Sequence, residues 1–309
     1  MKFLKPKFWD KNKLSIFSII LLPITILVKI IIFIRVFLLK SCVAKIPIIC
    51  VGNIYIGGTG KTPLCIELFS ILKSLGKKPA FIRKKYNKYE DELKLLNKVG
   101  PVYENKKRIK AINSAIQENA NVAILDDGFQ DFKIKKNLSI ICFNEEQWIG
   151  NGFTIPSGPL REGLHSLKRA SCVVINGKKN PDIENIILKI NNLIKIFYSM
   201  YIPQNIDQFK NNKIICFAGI GNPVNFFNLL KNNNINIFEE IIFPDHYTYV
   251  EKDLEIMIKK AEENNATLLT TEKDYLRIDK NYKEKINYLK IKVEIENKNE
   301  FIEEIKNFI

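Results

Sequence analysis

Residues 14 to 39, LSIFSIILLPITILVKIIIFIRVFLL, form an apolar run of 26 residues that would span ~39 Å as a helix, enough to cross a hydrocarbon core. Lys29, Arg35 and Pro23 interrupt it. Twenty Leu, Ile, Val and Phe side chains at about −0.5 kcal/mol each outweigh two central charges at about +3 kcal/mol each, so burial in lipid is favourable. On a helical wheel Ser15, Ser18, Thr25 and Lys29 fall near one stripe. That pattern also suits a helix lying in the interface with Lys29 snorkelling, so spanning and interfacial placements both stay open. Beyond it, apolar runs of strand length alternate with runs of helical spacing. IPIICVG and PAFI (79 to 82) read as strands around LCIELFSILKSLG, a helix that stops at Gly76. An apolar-periodic helix follows in EDELKLL, then strands at VAILDDGFQ (122 to 130), LSIICF (138 to 143) and CVVIN (172 to 176). This alternation predicts a parallel sheet. From KIICFAG (213 to 219) a second alternation begins, through a helix in NPVNFFNLLK, a strand in NIFEEIIF, a helix from about 250 to 264 and the strand ATLLTT. The pattern thus divides the chain into an apolar segment (1–45), a P-loop-like parallel α/β domain (46–205) and a smaller C-terminal α/β domain (206–309).

Charge sharpens the first of these. The 309-residue chain carries a formal charge of +15, and residues 1 to 45 hold nine Lys and Arg against the single acidic Asp10. Phe3, Phe8 and Trp9 sit among those lysines as interfacial anchors would. Placement beside an apolar segment favours an anionic membrane surface over nucleic acid as the partner. A signal peptide fits poorly, because the apolar stretch is too long and no small-residue cleavage site follows it. The six cysteines (Cys42, Cys50, Cys65, Cys142, Cys172 and Cys216) form no C-x-x-C pair and read as reduced core residues.

The candidate chemistry centres on IPIICVGNIYIGGTGKTP, residues 46 to 63. An apolar strand, a glycine-rich turn and Lys-Thr opening a helix make a phosphate cradle, since converging backbone N–H groups and a helix N-terminus both favour anions. Gly57, Gly58, Thr59, Gly60, Lys61 and Thr62 would bind the nucleotide, with Lys61 on the β/γ-phosphates and Thr62 on Mg²⁺. The strict pattern needs a glycine where this chain has Tyr55. Asp126 and Asp127 end an apolar strand, as metal-holding carboxylates do beside phosphates. The Gly/Pro-rich loop GNGFTIPSGPLREGLHSLKRA presents Arg161 and Glu162 as substrate-side candidates. GIGNP is not a dinucleotide fingerprint, because Val224 stands where the last glycine belongs. Taken singly, Asp91 and Glu92 are ordinary helix-start acids, and His246 and His165 are ordinary surface histidines.

Together VGNIYIGGTGKTP, DDGFQ, GNGFTIPSGPLRE, FAGIGNP, FPDHY and TTEKD, in this order behind an apolar N-terminal helix, resemble the tetraacyldisaccharide 4'-kinases of lipid A synthesis. The resemblance implies transfer of the ATP γ-phosphoryl group to the 4'-hydroxyl of a tetraacylated glucosamine disaccharide 1-phosphate, at the cytoplasmic face of the inner membrane. It implies ATP and Mg²⁺ as cofactors and no obligate protein partner. Asp91 resembles the family's acceptor-activating aspartate and His246 the histidine paired with it. Glu92, Asp126 and Asp127 would serve the metal, and Arg161 and Glu162 the acceptor or closure. If two halves of the chain supply Asp91 and His246, closure on ATP would bring them together. Three departures stand out: Asp131 replaces a usual histidine, Arg83-Lys84-Lys85-Tyr86-Asn87 replaces a Ser-Arg-Gly-Tyr-Gly turn, and Glu90 replaces a glycine before Asp91. Other readings are a soluble P-loop enzyme of a small metabolite, which the apolar N-terminus argues against, and a membrane-tethered nucleotide switch, in which Asp91 and His246 would have no catalytic purpose.

Overall fold

A computed structural model describes residues 6–9, 15–85 and 90–309. Phe3, Asp10, Tyr86 and Asn87, named above, lie outside the described residues, as do Lys2, Lys5, Lys11 and Lys13 of the nine basic residues and Leu14, the first of the apolar run. The described chain divides into two compact units. One gathers residues 6–9, 15–85, 96–200 and 294–309, and the other residues 90–95 and 201–293.

At the N-terminus the run expected as one 26-residue membrane helix is two shorter helices, α1 (Ile16–Ile20) and α2 (Leu22–Phe37). Pro23 sits in the first turn of α2. It has no N–H to carry the ladder through from α1, and its ring favours a helix start. Sixteen residues span only ~24 Å, and among the described residues no helix is long and apolar enough to cross a membrane. The middle of the polar stripe turns inward: Ser18 and Thr25 are buried, Ser15 is half-buried and Lys29 stays exposed. Asn151 Nδ2 donates to Ser18 Oγ at 3.1 Å, and Thr25 Oγ1 lies 2.7 Å from Ser157 Oγ. Trp9 is buried too and donates from Nε1 to the Pro156 carbonyl at 3.1 Å. The apolar side chains face outward, with Phe17 66 %, Phe33 71 % and Phe37 80 % exposed.

The large sheet is built from β1 (Ile48–Gly52), β2 (Pro79–Lys84), β3 (Val102–Asn105), β4 (Val122–Asp126), β5 (Leu138–Asn144), β6 (Cys172–Asn176), β7 (Lys195–Pro203) and the C-terminal β12 (Ile291–Ile295). Its order is β12-β7-β6-β5-β1-β4-β2-β3. The pairs from β3 through β1 to β7 are parallel. Strands β1, β4, β5 and β6 are buried along their whole length, which is why they read as unbroken apolar runs rather than alternating ones. Helices α3 (Lys61–Ser74), α4 (Glu90–Asn97), α5 (Arg108–Gln117) and α6 (Pro181–Ile190) follow β1, β2, β3 and β6. The end of β1 is a close approach: a Cβ on Gly52 would lie 2.4 Å from that of Phe129, so only glycine lets the carboxylate-bearing turn after β4 sit against the phosphate loop.

The second unit holds β8 (Lys213–Ala218), β9 (Asn236–Ile242), β10 (Ala266–Thr271) and β11 (Asn287–Leu289), all parallel, in the order β11-β10-β8-β9. Helices α7 (Pro223–Asn232), α8 (Glu251–Glu263) and the single turn α9 (Glu272–Tyr275) connect them. Phe226, Phe227 and Leu230 of α7 pack on one side of this sheet, and Leu254, Met257 and Ile258 of α8 on the other. The start of α4, with Asp91, is counted in this unit. After β12, α10 (Lys298–Lys306) returns to the first unit.

Candidate functional site

The phosphate loop spans the gap between β1 and α3. Gly57, Gly58 and Gly60 have φ of 83°, 37° and 85°, a region that glycine enters without steric cost. Tyr55 needs no such freedom. It makes an antiparallel bridge to Leu160 and its side chain is fully buried, so the departure from the strict pattern exchanges a flexible glycine for an anchored strand residue. Asn53 staples the loop from beneath, donating from Nδ2 to the Tyr55 carbonyl and to Thr59 Oγ1 at 3.0 Å. Gln130 Nε2 in turn donates to the Asn53 carbonyl at 2.9 Å. Thr62 is buried in the first turn of α3, where the helix dipole and unpaired N–H groups favour an anion.

Backbone bonds bring the Gly/Pro-rich loop alongside. Ile56 N–H donates to the Pro159 carbonyl at 2.9 Å and Arg161 N–H to the Ile54 carbonyl at 2.6 Å. Arg161 Nη1 then donates to both Asp127 oxygens, at 2.8 and 2.9 Å. Lys61 Nζ lies 3.8 Å from the same carboxylate. Burial pushes the Asp127 carboxyl up, but Lys61, Arg161 and Arg108 together hold it well below the usual carboxylate range. Asp127 has φ of 53°, a strained value for a residue with a Cβ. Neighbouring Asp126 is buried, with Arg83 Nε at 3.5 Å and Cys65 Sγ at 3.8 Å. Glu162 points elsewhere: its Oε2 accepts from Arg169 Nη2 at 2.6 Å, and that guanidinium lies over the Phe129 and Phe132 rings.

Thr62, Asp126 and Asp127 offer hard oxygen donors beside the phosphate loop. Among the described residues no group of three or more His, Cys, Asp or Glu side chains is placed to cage an ion. One hydroxyl and one or two carboxylates fit Mg²⁺, which keeps waters and phosphate oxygens as its remaining ligands. Glu92 is counted in the other unit, where its Oε1 accepts from Lys273 Nζ at 2.8 Å.

In that second unit Asp91 and His246, 155 positions apart, lie with Oδ2 and Nδ1 separated by 3.2 Å. The pair therefore forms inside one compact unit, without two halves closing on each other. His246 sits in a turn after β9 with φ of 55°, its N–H bound to the Gly219 carbonyl at 3.0 Å. Asp91 is 1 % exposed. Its Oδ1 accepts from Glu92 N–H at 3.0 Å, while Arg277 Nε lies 3.3 Å and Lys273 Nζ 4.0 Å from Oδ2. Burial raises the Asp91 carboxyl, and the His246 hydrogen bond with the nearby charges of Lys273 and Arg277 outweighs it, leaving the group well below its ordinary value. Asp91 is thus an ionised acceptor at neutral pH.

Four basic side chains at these sites carry no site role in the sequence reading. Arg83 is visible only as part of a departure from the family's turn, yet it is buried between Asp126 and Glu104. Arg108 donates from Nη1 to Asp131 at 3.0 Å and from Nη2 to the Asp127 carbonyl at 2.8 Å. Asp131, in place of a histidine, thus anchors the cation that holds the strained Asp127 backbone. Lys273 belongs to TTEKD, which marks its position but not its contacts. Arg277 lies just past that motif, so no pattern picks it out.

The sequence pattern of the family described as Tetraacyldisaccharide-1-P 4'-kinase (LpxK) matches residues 17–97 and 87–309. A tetraacyldisaccharide 4'-kinase of Pelagibacter ubique is 47% identical over 298 residues, covering 96% of this chain and 95% of the relative. Those of Rickettsia akari and Rickettsia bellii are each 35% identical and cover 90% and 99% of this chain, and 90% and 98% of their own. Among solved structures, LpxK from Aquifex aeolicus in complex with ATP superposes with a TM-score of 0.73 at 25% identity, covering 94% of this chain and 99% of that one.

Proposed function

Because the chain belongs to the tetraacyldisaccharide 4'-kinase family, we propose which of its residues carry the phosphoryl transfer. The enzyme transfers the γ-phosphate of ATP to the 4'-hydroxyl of tetraacyldisaccharide 1-phosphate. In this reading Gly57, Gly58, Thr59, Gly60 and Thr62 bind the nucleotide through backbone and hydroxyl donors. Lys61, which here lies 3.8 Å from the Asp127 carboxylate, would turn to the phosphates and absorb the charge that spreads over the transferring group. Thr62, Asp126 and Asp127 would hold Mg²⁺, whose chemistry when bound is to neutralise charge on the β- and γ-phosphate oxygens. Glu92 could serve that ion only after exchanging Lys273 for it.

Asp91 accepts the proton of the 4'-hydroxyl in this reading, and His246 orients it. Phosphoryl transfer through a loose transition state asks little covalent work of the protein. A carboxylate held ionised and fixed in direction therefore suffices as acceptor even though its basicity is low. The observation that carries the assignment is the 3.2 Å approach of His246 Nδ1 to Asp91 Oδ2. Arg161 and Glu162 we place on the acceptor side of the loop, Glu162 through its hold on Arg169.

The outward apolar faces of α1 and α2 support seating the enzyme on a lipid surface, with the lysines near the N-terminus favouring an anionic leaflet. We place that surface at the cytoplasmic side of the inner membrane, where ATP is available. The test is direct. Purified protein with Mg-ATP and the tetraacylated disaccharide 1-phosphate in vesicles should yield a 4'-phosphomonoester. Asp91→Asn should lower turnover by about 10² or more while leaving ATP affinity near normal. A chain that hydrolyses ATP but never phosphorylates the disaccharide would remove the acceptor assignment.

A further inference from the structure

Asp274 is fully buried at the start of α9 and accepts from Gly219 N–H at 3.0 Å, Tyr249 Oη at 2.8 Å, Thr271 Oγ1 at 2.6 Å and Arg277 Nη2. A carboxylate with donors on every side is immobile, and it fixes the guanidinium beside it. Arg277 then reaches three further places. Nη1 donates to the Tyr247 carbonyl at 2.9 Å, Nη2 to the Gly219 carbonyl at 2.8 Å, and Nε faces Asp91 Oδ2 at 3.3 Å. Tyr247 follows His246 in the chain, and the Gly219 carbonyl is the one that accepts the His246 N–H. One planar group thus touches Asp91 and the backbone on both sides of His246.

Lys273 approaches from the other ring nitrogen. Its Nζ lies 3.4 Å from His246 Nε2 and 2.8 Å from Glu92 Oε1. Asp245 Oδ1 and Glu92 Oε1 also face Nε2, at 3.8 and 4.0 Å. An ammonium donates and never accepts. With Lys273 the nearest of these groups, Nε2 is the acceptor and the ring hydrogen falls on Nδ1, toward Asp91.

We propose that Arg277 and Lys273 are positioning residues for the transfer: Arg277, fixed by Asp274, sets the spacing of Asp91 and the His246 turn, and Lys273 holds the imidazole with its Nδ1–H aimed at Asp91. This rests on the reading of Asp91 and His246 as the acceptor-activating pair. Neither cation needs to touch ATP or the disaccharide. Each acts through the pair, as partners of metal-bound or catalytic histidines do when they fix ring orientation and tautomer.

The experiment uses full-length enzyme in vesicles with Arg277→Gln, Arg277→Lys, Lys273→Gln and Lys273→Arg, each alone and in an Asp91→Asn background. Arg277→Gln and Lys273→Gln should each lower kcat by about 10- to 100-fold with the KM for ATP unchanged, the loss expected of outer partners of a catalytic group. The Lys and Arg replacements should recover part of it. In the Asp91→Asn background neither Gln variant should add further loss, because groups that act as a unit are not multiplicative. The chain has two histidines, so ¹⁵N imidazole spectra give a second reading, with His246 as the Nδ1–H form in wild type and a mixed form in Lys273→Gln. If Arg277→Gln fails to fold, Lys273→Gln, whose side chain is partly exposed, carries the test. Normal kcat in Lys273→Gln beside an inactive Asp91→Asn, or an Nε2–H form in wild type, would overturn the positioning role alone. Near-normal turnover in Asp91→Asn would overturn the pair itself, and the positioning role with it.

Discussion

The Asp91 carboxylate is the point where burial and charge oppose each other most directly. Burial alone would raise its pKa, and the hydrogen bond from His246 with the charges of Lys273 and Arg277 brings it below the ordinary carboxylate value of about 3.9. A folded-state pKa below the unfolded one contributes stability that is present above about pH 4 and lost as pH falls toward the depressed value. The same sign governs turnover. In the wild type the acid limb of kcat that belongs to Asp91 should lie below the ordinary carboxylate range. His246→Ala removes the largest lowering influence while burial remains, so that limb should move to higher pH. Profiles of kcat for both proteins check this, and an unmoved limb would detach His246 from Asp91. Asp131 gives a second residue-scale expectation. Asp131→Ala leaves the buried Arg108 guanidinium without the carboxylate 3.0 Å away, so the melting temperature should fall by the equivalent of about 1–3 kcal/mol. Turnover should fall with it, because Arg108 also holds the Asp127 carbonyl. Full activity with a lowered melting point would confine Arg108 to stability. These contacts also mark what a sequence can and cannot convey. Lys61 and Asp127 stand in motifs whose residue types follow from phosphate chemistry, whereas Asp91 and His246 stand out only through the family resemblance. Arg108, the partner of Asp131, and Arg277 are legible only in space, since a guanidinium that bonds two carbonyls leaves no pattern of spacing in the chain.

At the scale of elements, periodicity carried the strands well where burial is complete on both faces. The runs IICVG, VAILD and CVVIN are strands over nearly the spans that their apolar letters mark. Less was legible where an element is short or half-exposed. Strand β3 has no fully buried position, and β9 alternates between exposed and intermediate, so its pattern is that of an edge. The N-terminal helices are the instructive reversal. The serine and threonine stripe, which suits an interface on a wheel, meets Asn151 and Ser157 instead, because these hydroxyls find protein partners while most of the isoleucine and phenylalanine surface of these helices stays exposed. The polar side therefore docks, and the apolar side is presented outward. Replacing Phe17, Phe33 and Phe37 together by serine should weaken co-sedimentation with anionic vesicles at least about tenfold, given about 1.5–3 kcal/mol for each fully buried aromatic side chain. Their exposure means the melting temperature should hardly change. A triple variant that still sediments as wild type would place the lipid-facing surface elsewhere.

For the molecule as a whole, the chain does not finish one unit before starting the next. The first unit is built from separate stretches, and its last one, residues 294–309, arrives only after the entire second unit has been made. Nothing in the local pattern of KNEFIEEIK announces this, since an amphipathic helix of nine residues could cover either sheet. The contacts decide it. Phe301 and Ile305 are fully buried, and the Phe301 ring meets Phe197 of β7 edge-on at 5.0 Å. Lys298 Nζ reaches the buried Glu67 of α3 at 2.6 Å, and Lys195 reaches Glu304 at 2.6 Å. Helix α10 therefore packs on β7, the strand next to the β12 edge of the sheet, and grips the helix that begins at the phosphate loop. Removing residues 297–309 should destabilise the first unit, far as they lie in sequence from Lys61. Phe301→Ala alone should cost about 3–5 kcal/mol, a buried aromatic exchanged for a cavity. Lys298→Ala leaves Glu67 buried without its cation and should cost less, about 1–3 kcal/mol, because the carboxylate can take up a proton or a water. Denaturant melts of the three proteins, read together with ATP affinity, test the order. If truncation leaves stability and ATP binding unchanged, the C-terminal helix is a passenger on the fold rather than the piece that completes the nucleotide-binding unit.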